Sequence, residues 1–202
     1  MELKHEHKDD HAQLSTGRLE ALSDGIFAIA ITITVIELKV PLHGDFSSLA
    51  ELLPFFIAYI ISFQSIGTYW MNHHHLLKTT DHVSTGMMWA NLHLLFWVSL
   101  TPFTTIWVGE QHNSALPTAL YAAVLFFCAV AYTILQYTVV HHSSKRESLL
   151  QELTRSHKGT ISLLAYLISI GTAFINPIIS DVLIIIVGIM WLIPDKRIAK
   201  FL

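Results

Sequence analysis

The chain has 202 residues, of which 52% are hydrophobic and only 13% charged, with a formal net charge of −3. A soluble domain carries about 25% charged residues, and one soluble core of this length cannot hide so much apolar surface, so the class is a one-domain integral membrane protein. The single cysteine, Cys128, excludes an intrachain disulfide and a cysteine-based metal site.

Residues 1–16 form a polar, histidine-rich tail without the basic-then-apolar pattern of a secretory signal. His5, His7 and His11 read as solvated, because nothing fixes them in a ligand geometry. Residues 17–202 read as an all-α membrane domain. Six spanning helices are expected at about 17–38, 52–73, 83–108, 116–140, 158–175 and 177–193. Pro41 and Gly44 end the first. Pro54 falls in the first turn of the second, where a missing N–H does no harm. Pro102 lies inside the third and predicts a kink, with Thr101, Thr104 or Thr105 placed to take up freed backbone groups. Pro117 opens the fourth. The apolar stretch 160–193 is divided by Asn176-Pro177. It exceeds the ~20 residues of one span, so two short helices fit it.

Charge favours six spans over five. Cytoplasmic loops are enriched in lysine and arginine. Six spans place Lys4, Lys8, Arg18, Lys78, Lys145, Arg146, Arg155, Lys158, Lys196, Arg197 and Lys200 on one side, with only Lys39 on the other. Both termini are then cytoplasmic. Five spans would strand the last three basic residues outside. No internal repeat is visible, so a symmetric site would need separate copies of the chain.

The first helix, RLEALSDGIFAIAITITVIELK, is apolar enough to cross a bilayer and yet carries Arg18, Glu20, Ser23 and Asp24 near one end. Ionisable groups in a span are costly unless paired or hydrated, and they mark pathways or functional joints. Positions three and four apart share a helical face. One stripe reads Arg18, Leu22, Gly25, Ile29, Thr32 and Ile36, with Ile33 beside it. This seam spacing faces either a symmetry axis or simply the core of the bundle. A second stripe carries Glu20, Asp24, Ala28, Ile31 and Val35, and a third Ser23, Phe27, Ala30 and Thr34.

Arg18 and Asp24 are six apart and poorly placed to pair within one helix, so each needs a partner elsewhere. The end of the second helix, YWMNHHHLL, and Asn91 in the third lie at the same level. A polar knot is expected there, joining Arg18, Ser23 and Asp24 to His73 or His74 and to Asn91. The run His73–His75 does not suggest a metal site. Consecutive helical side chains point about 100° apart, and no further ligand follows one turn on.

The stretch RLEALSDGIFAIAITITVIELKVP, with WMNHHHLL and NLHLLFWVSLTPF, resembles the potassium channels of the transmembrane protein 175 family. That family's first-helix hallmark is Arg-x-x-x-Phe-Ser-Asp, matched by Arg18-x-x-x-Leu22-Ser23-Asp24 with leucine in place of phenylalanine. The resemblance implies a homotetrameric cation channel lined by its first helices, with no TVGYG carbonyl filter. It implies a pore constriction at Ile29, five residues after the motif aspartate. Further pore positions fall at Thr32 and Ile36, with Ile33 a substitute if the helix rotates.

A ring of Ile29 side chains would form an apolar neck able to dewet and close. Partial dehydration there favours K⁺, which holds water less tightly than Na⁺, and Thr32 hydroxyls would replace some lost water. Glu37 and Asp45, with Glu51 and Glu110, would raise the external cation concentration. The expected function is a moderately potassium-selective channel with lipid and monovalent cations as partners. Potassium passes through transiently, and no cofactor, resident metal or nucleic acid is expected. The one-unit architecture points to a prokaryotic plasma membrane. The main alternative is a proton-coupled secondary cation transporter, which would usually need a midplane ionisable group and repeats. An enzyme is not expected, since Ser23 and Asp24 beside the histidine run are the only nucleophile-like constellation.

Overall fold

The computed structural model describes residues 16–36, 40–41, 43–80, 82–143, 146–155 and 157–192. The tail through residue 15, Glu37, Lys39 and the basic residues after 192 lie outside the described residues. Among the described residues there are eight α-helices and no strand. They are α1 (Thr16–Ile36), α2 (Phe46–Glu51), α3 (Leu53–Leu77), α4 (Thr85–Glu110), α5 (Ala115–His142), α6 (Arg146–Arg155), α7 (Lys158–Ala173) and α8 (Pro177–Leu192).

Three of these helices, α1, α4 and α5, are long and apolar enough to cross a membrane, and α7 and α8 are shorter apolar helices. The 25-residue α3 is interrupted by Ser62, Gln64, Thr68, Asn72 and three histidines. It runs about one turn past the expected end at 73, so His74 and His75 are helical. Two further helices lie between the expected ones. The Asp45 side chain caps α2 by accepting from the Ser48 amide at 2.8 Å. In α6 the buried face is Leu149, with Arg146, Glu147 and Ser148 exposed.

Local chemistry sets the ends. Ser84 caps α4 by accepting from the Met87 amide at 3.2 Å. Pro177 opens α8 where its missing N–H is harmless, and the Asn176 side chain accepts from the Ile178 amide at 3.0 Å.

The packing order is α1 against α3 and α4, α4 against α5, α5 against α7, and α7 against α8, which returns to α3. One apolar core gathers Phe27, Ile66, Met87, Leu94, Val98 and Leu135 from α1, α3, α4 and α5. A second gathers Ala58, Tyr121, Leu125, Tyr166 and Ile184 from α3, α5, α7 and α8. The seat of α8 on α3 is specific. Gln64 Nε2 donates to the Gly188 carbonyl at 2.9 Å, and a Cβ at residue 188 would lie 2.8 Å from Gln64 Oε1. Thus α1 sits at one edge of the bundle, held on one side only.

Candidate functional site

Two faces of α1 have opposite fates. Leu19, Ser23, Phe27, Ala30 and Thr34 are buried against α3 and α4. Phe27 is only 1% exposed and meets the His73 ring edge-on at 5.6 Å between centroids. Leu22, Gly25, Ile29, Thr32, Ile33 and Ile36 are all exposed, Ile29 at 56% and Ile36 at 75%. The spacing of this stripe allowed either a core or a seam. Within one chain the core stripe is the Ser23 one, and the Ile29 stripe is left uncovered.

The buried face carries a closed polar cluster. His73 Nε2 lies 2.7 Å from Asn91 Oδ1, Asn91 Nδ2 donates to Ser23 Oγ at 3.0 Å, and Ser23 Oγ donates to the Leu19 carbonyl at 2.8 Å. The network assigns the Nε2 proton to His73, because the Asn91 oxygen can only accept. All three side chains are buried. Each hydrogen bond in the series is matched, so the cluster joins α1, α3 and α4 without leaving an orphaned group among the atoms it uses.

The other residues of the expected knot lie elsewhere. Asp24 is exposed, and its Oδ1 accepts from Trp70 Nε1 at 2.8 Å. His74 stacks on Trp70 at 6.4 Å, and Arg18 is exposed at the start of α1. The 100° step between neighbouring residues of α3 explains the split. It turns His73 inwards and leaves His74 with Trp70 on the outer face. Trp70 is the residue sequence reasoning missed. It stands in the stretch YWMNHHHLL, one turn before His73 and His74, and carries an indole N–H that needs an acceptor.

Along the uncovered stripe, Thr32 turns its hydroxyl back onto the helix, donating to the carbonyls of Ala28 at 2.9 Å and Ile29 at 3.2 Å. These bonds use its proton and leave its oxygen lone pairs unengaged by them. Ile29 and Ile33 also border an apolar groove of about 390 Å³ whose far wall is Leu92, Leu95, Phe96 and Pro102 of α4. Beyond the other end of α1, Asp45 is held below the usual carboxylate range by the hydrogen bonds it accepts from the Ser48 amide and from the Ser48 and Ser47 side chains. Among the described residues no group of three or more histidine, cysteine, aspartate or glutamate side chains is placed to hold a metal ion.

The sequence and the fold have known counterparts. A family model described as "Endosomal/lysosomal potassium channel TMEM175" matches residues 18–102, which span the hallmark, the histidine run and Asn91. A potassium channel of Chryseobacterium sp. (strain P1-3) is 46% identical over 189 residues, covering 94% of this chain and 98% of its own. The chain belongs to the TMEM175 family. Another family relative, a potassium channel of Chamaesiphon minutus, is 35% identical over 72% of this chain and 74% of its own. The crystal structure of a lysosomal potassium-selective channel TMEM175 homolog from Chamaesiphon minutus superposes with a TM-score of 0.76 at 29% identity. That match covers 87% of this chain and 95% of the other. Membership of TMEM175 and the apolar helices α1, α4 and α5 make the chain an integral membrane protein.

Proposed function

We propose that four copies of this chain surround a central pore and pass potassium ions down their gradient, with α1 from each copy lining the path. One observation carries this reading. The stripe Leu22, Gly25, Ile29, Thr32 and Ile36 lies within the wide arc of α1 that its own chain leaves uncovered, with Ala21, Asp24, Ala28 and Val35 beside it, opposite the buried Ser23, Phe27, Ala30 and Thr34. The names of the bacterial relatives as potassium channels support the cargo.

In this reading α1, α3, α4, α5, α7 and α8 cross the bilayer and both termini face the cytoplasm, in keeping with the distribution of lysine and arginine. Ile29 side chains form the neck, which closes by excluding water and discriminates by stripping it. Thr32 offers hydroxyl oxygens one turn further out, and Ile36 and Ile33 shape the path beyond them. Glu37 and Asp45 enrich cations at the external mouth. Arg18, Ser23, Asp24, His73, His74 and Asn91 hold the cytoplasmic end of α1 in place rather than contacting the ion. Potassium is cargo, and the protein needs no cofactor. The bacterial relatives fit a plasma-membrane location.

Counting subunits of the purified protein in detergent and measuring K⁺ flux after reconstitution in liposomes tests the proposal. Flux in either direction without a proton gradient is expected. A fixed proton stoichiometry would instead identify the transporter.

A further inference from the structure

We propose that a second copy of this chain docks against the outer face of α4, where its Asp24 accepts a hydrogen bond from the His93 ring. The inference rests on the reading of copies arranged around α1, and it names what joins them. His93 lies eight residues into α4, about 12 Å from its start, on a helix apolar enough to cross a membrane. It is half-buried, beside the exposed Trp89 and Phe96. Trp97 Nε1 donates to His93 Nε2 at 3.0 Å, and Trp97 is itself held by stacking on Phe127 of α5 at 4.3 Å. An indole can only donate, so Nε2 accepts and the ring proton sits on Nδ1. Among the described residues nothing accepts from Nδ1. Lipid tails offer no acceptor either, and a polar group left unpaired in hydrocarbon is costly.

The matching acceptor lies at the same depth on the opposite flank. Ser23 and Asn91 are bonded, and further along both helices Ile33 and Pro102 line one groove, so α1 and α4 run parallel. Asp24 follows Ser23 by one residue and His93 follows Asn91 by two, which sets the two side chains within about 2 Å of the same level. Within one chain they point apart. Asp24 turns towards α3, where it takes the Trp70 proton. The step of about 200° from Asn91, which faces α1 and α3, to His93 turns the ring away from both. A carboxylate that accepts one bond has lone pairs left for another, and Asp24 is exposed. One flank therefore offers a donor and the other an acceptor. A contact between unlike patches is heterologous, and repeated by rotation it closes a ring, the symmetry that a pore along α1 requires. Ala21 and Ala28, exposed beside Asp24, let the next copy approach closely. The stripe through Ile29, between the two flanks, then faces the centre.

The test begins with the full-length protein carrying Ala28→Cys and Phe96→Cys, with Cys128→Ala to remove the native thiol, treated in membranes with a short bis-thiol cross-linker. Ala28 and Phe96 each lie five residues beyond the bonded pair Ser23 and Asn91, so they oppose each other across the proposed contact while Asp24 and His93 stay in place. Cross-linked dimer, trimer and tetramer are expected on denaturing gels. Phe96→Cys that cross-links to itself marks a contact between like faces and overturns the proposal. A second readout separates the ring N–H from packing. His93→Asn keeps an N–H near the Nδ1 position but loses the acceptor for Trp97, whereas His93→Phe loses both. A hydrogen bond between membrane helices changes association by roughly three- to twentyfold. Association in detergent should weaken by about that factor per contact in His93→Phe and stay near the wild-type value in His93→Asn. Equal behaviour of the two variants overturns the proposal: an equal loss assigns the effect to the Trp97 bond within the chain, and no loss leaves the ring N–H idle. A tetramer that yields no cross-links also overturns it, leaving lipid or another face of the chain against α4 while the pore reading stands. A wild type that is monomeric in detergent and in membranes overturns the pore reading together with the contact.

Discussion

Asn91 and His73 meet at 2.7 Å across two helices, and through Asn91 the contact continues to Ser23 on α1. Asn91 is the only member of this trio that bonds both of the others, so its loss should matter most. Asn91→Ala leaves the His73 N–H facing apolar neighbours without an acceptor, which costs about 1–3 kcal/mol for a buried group. Ser23→Ala leaves the buried Asn91 Nδ2 donor without its acceptor but breaks only one of the two bonds between helices, so it should cost somewhat less than Asn91→Ala. Thermal unfolding in detergent checks the ranking. An Asn91→Ala protein that melts with the wild type would remove the cluster from the account of stability.

Asp24 sits outside that cluster and should respond differently. Its contact is the Trp70 indole N–H at 2.8 Å, and an amide oxygen can accept that bond as well as a carboxylate. Asp24→Asn should therefore assemble nearly as the wild type does, while Asp24→Ala lowers the oligomeric fraction in detergent more than it alters ion preference. Equal losses in both variants would mean that the charge, not the hydrogen bond, is what assembly needs.

Asp45 gives a pH prediction of definite sign. Its pKa is depressed below 3.8 by the hydrogen bonds that cap α2. A carboxyl group with a lowered folded pKa supports the fold above its unfolded pKa and loses that support as pH falls through the folded one. The ordering of α2 by this cap should be complete above about pH 4 and should fade below it. Hydrogen exchange of residues 46–51 measured on either side of that range reads this directly. Asp45→Ala should show the faded exchange pattern already at neutral pH, and protection that ignores both pH and the substitution would show the cap to be idle.

How much of this was legible in the sequence depends on what kind of fact was sought. Two stripes of α1, one through Ile29 and one through Phe27, follow the same three-four spacing. Period alone therefore could not say which was core. The choice was made by tertiary partners, with Phe27 against His73 and Ser23 against Asn91. The three histidines present a similar case. Their adjacency said that they diverge, and the buried positions Phe55, Ala58, Ser62 and Ile66 carry the phase that puts His73 inside. Following that phase along α3 would have separated His73 from His74. The buried cluster in which Ser62 Oγ on α3 lies 2.6 Å from Thr105 Oγ1 on α4 and 2.7 Å from Tyr121 OH on α5 was not legible at all. Hydroxyls in apolar helices commonly bond back to their own backbone, as Thr34 does to Ala30 at 2.8 Å, and nothing local distinguishes those that reach another helix.

The uncovered stripe of α1 carries the most decisive substitution. Ile29→Asn replaces an exposed branched apolar side chain with one that hydrogen-bonds water, so a neck built from it should wet more readily. Conductance should rise and the reversal potential in mixed K⁺ and Na⁺ should move towards no preference. Thr32→Ala removes a hydroxyl whose proton goes to Ala28 and Ile29 carbonyls of its own helix and whose oxygen can face an ion. It should change discrimination while leaving subunit assembly intact, because no bond to another helix is lost. Thr32→Val keeps the shape and separates volume from chemistry. If Ile29→Asn leaves the reversal potential where it was, the neck is formed by other residues. If Thr32→Ala and Thr32→Val both behave as the wild type, Thr32 serves only the backbone of α1.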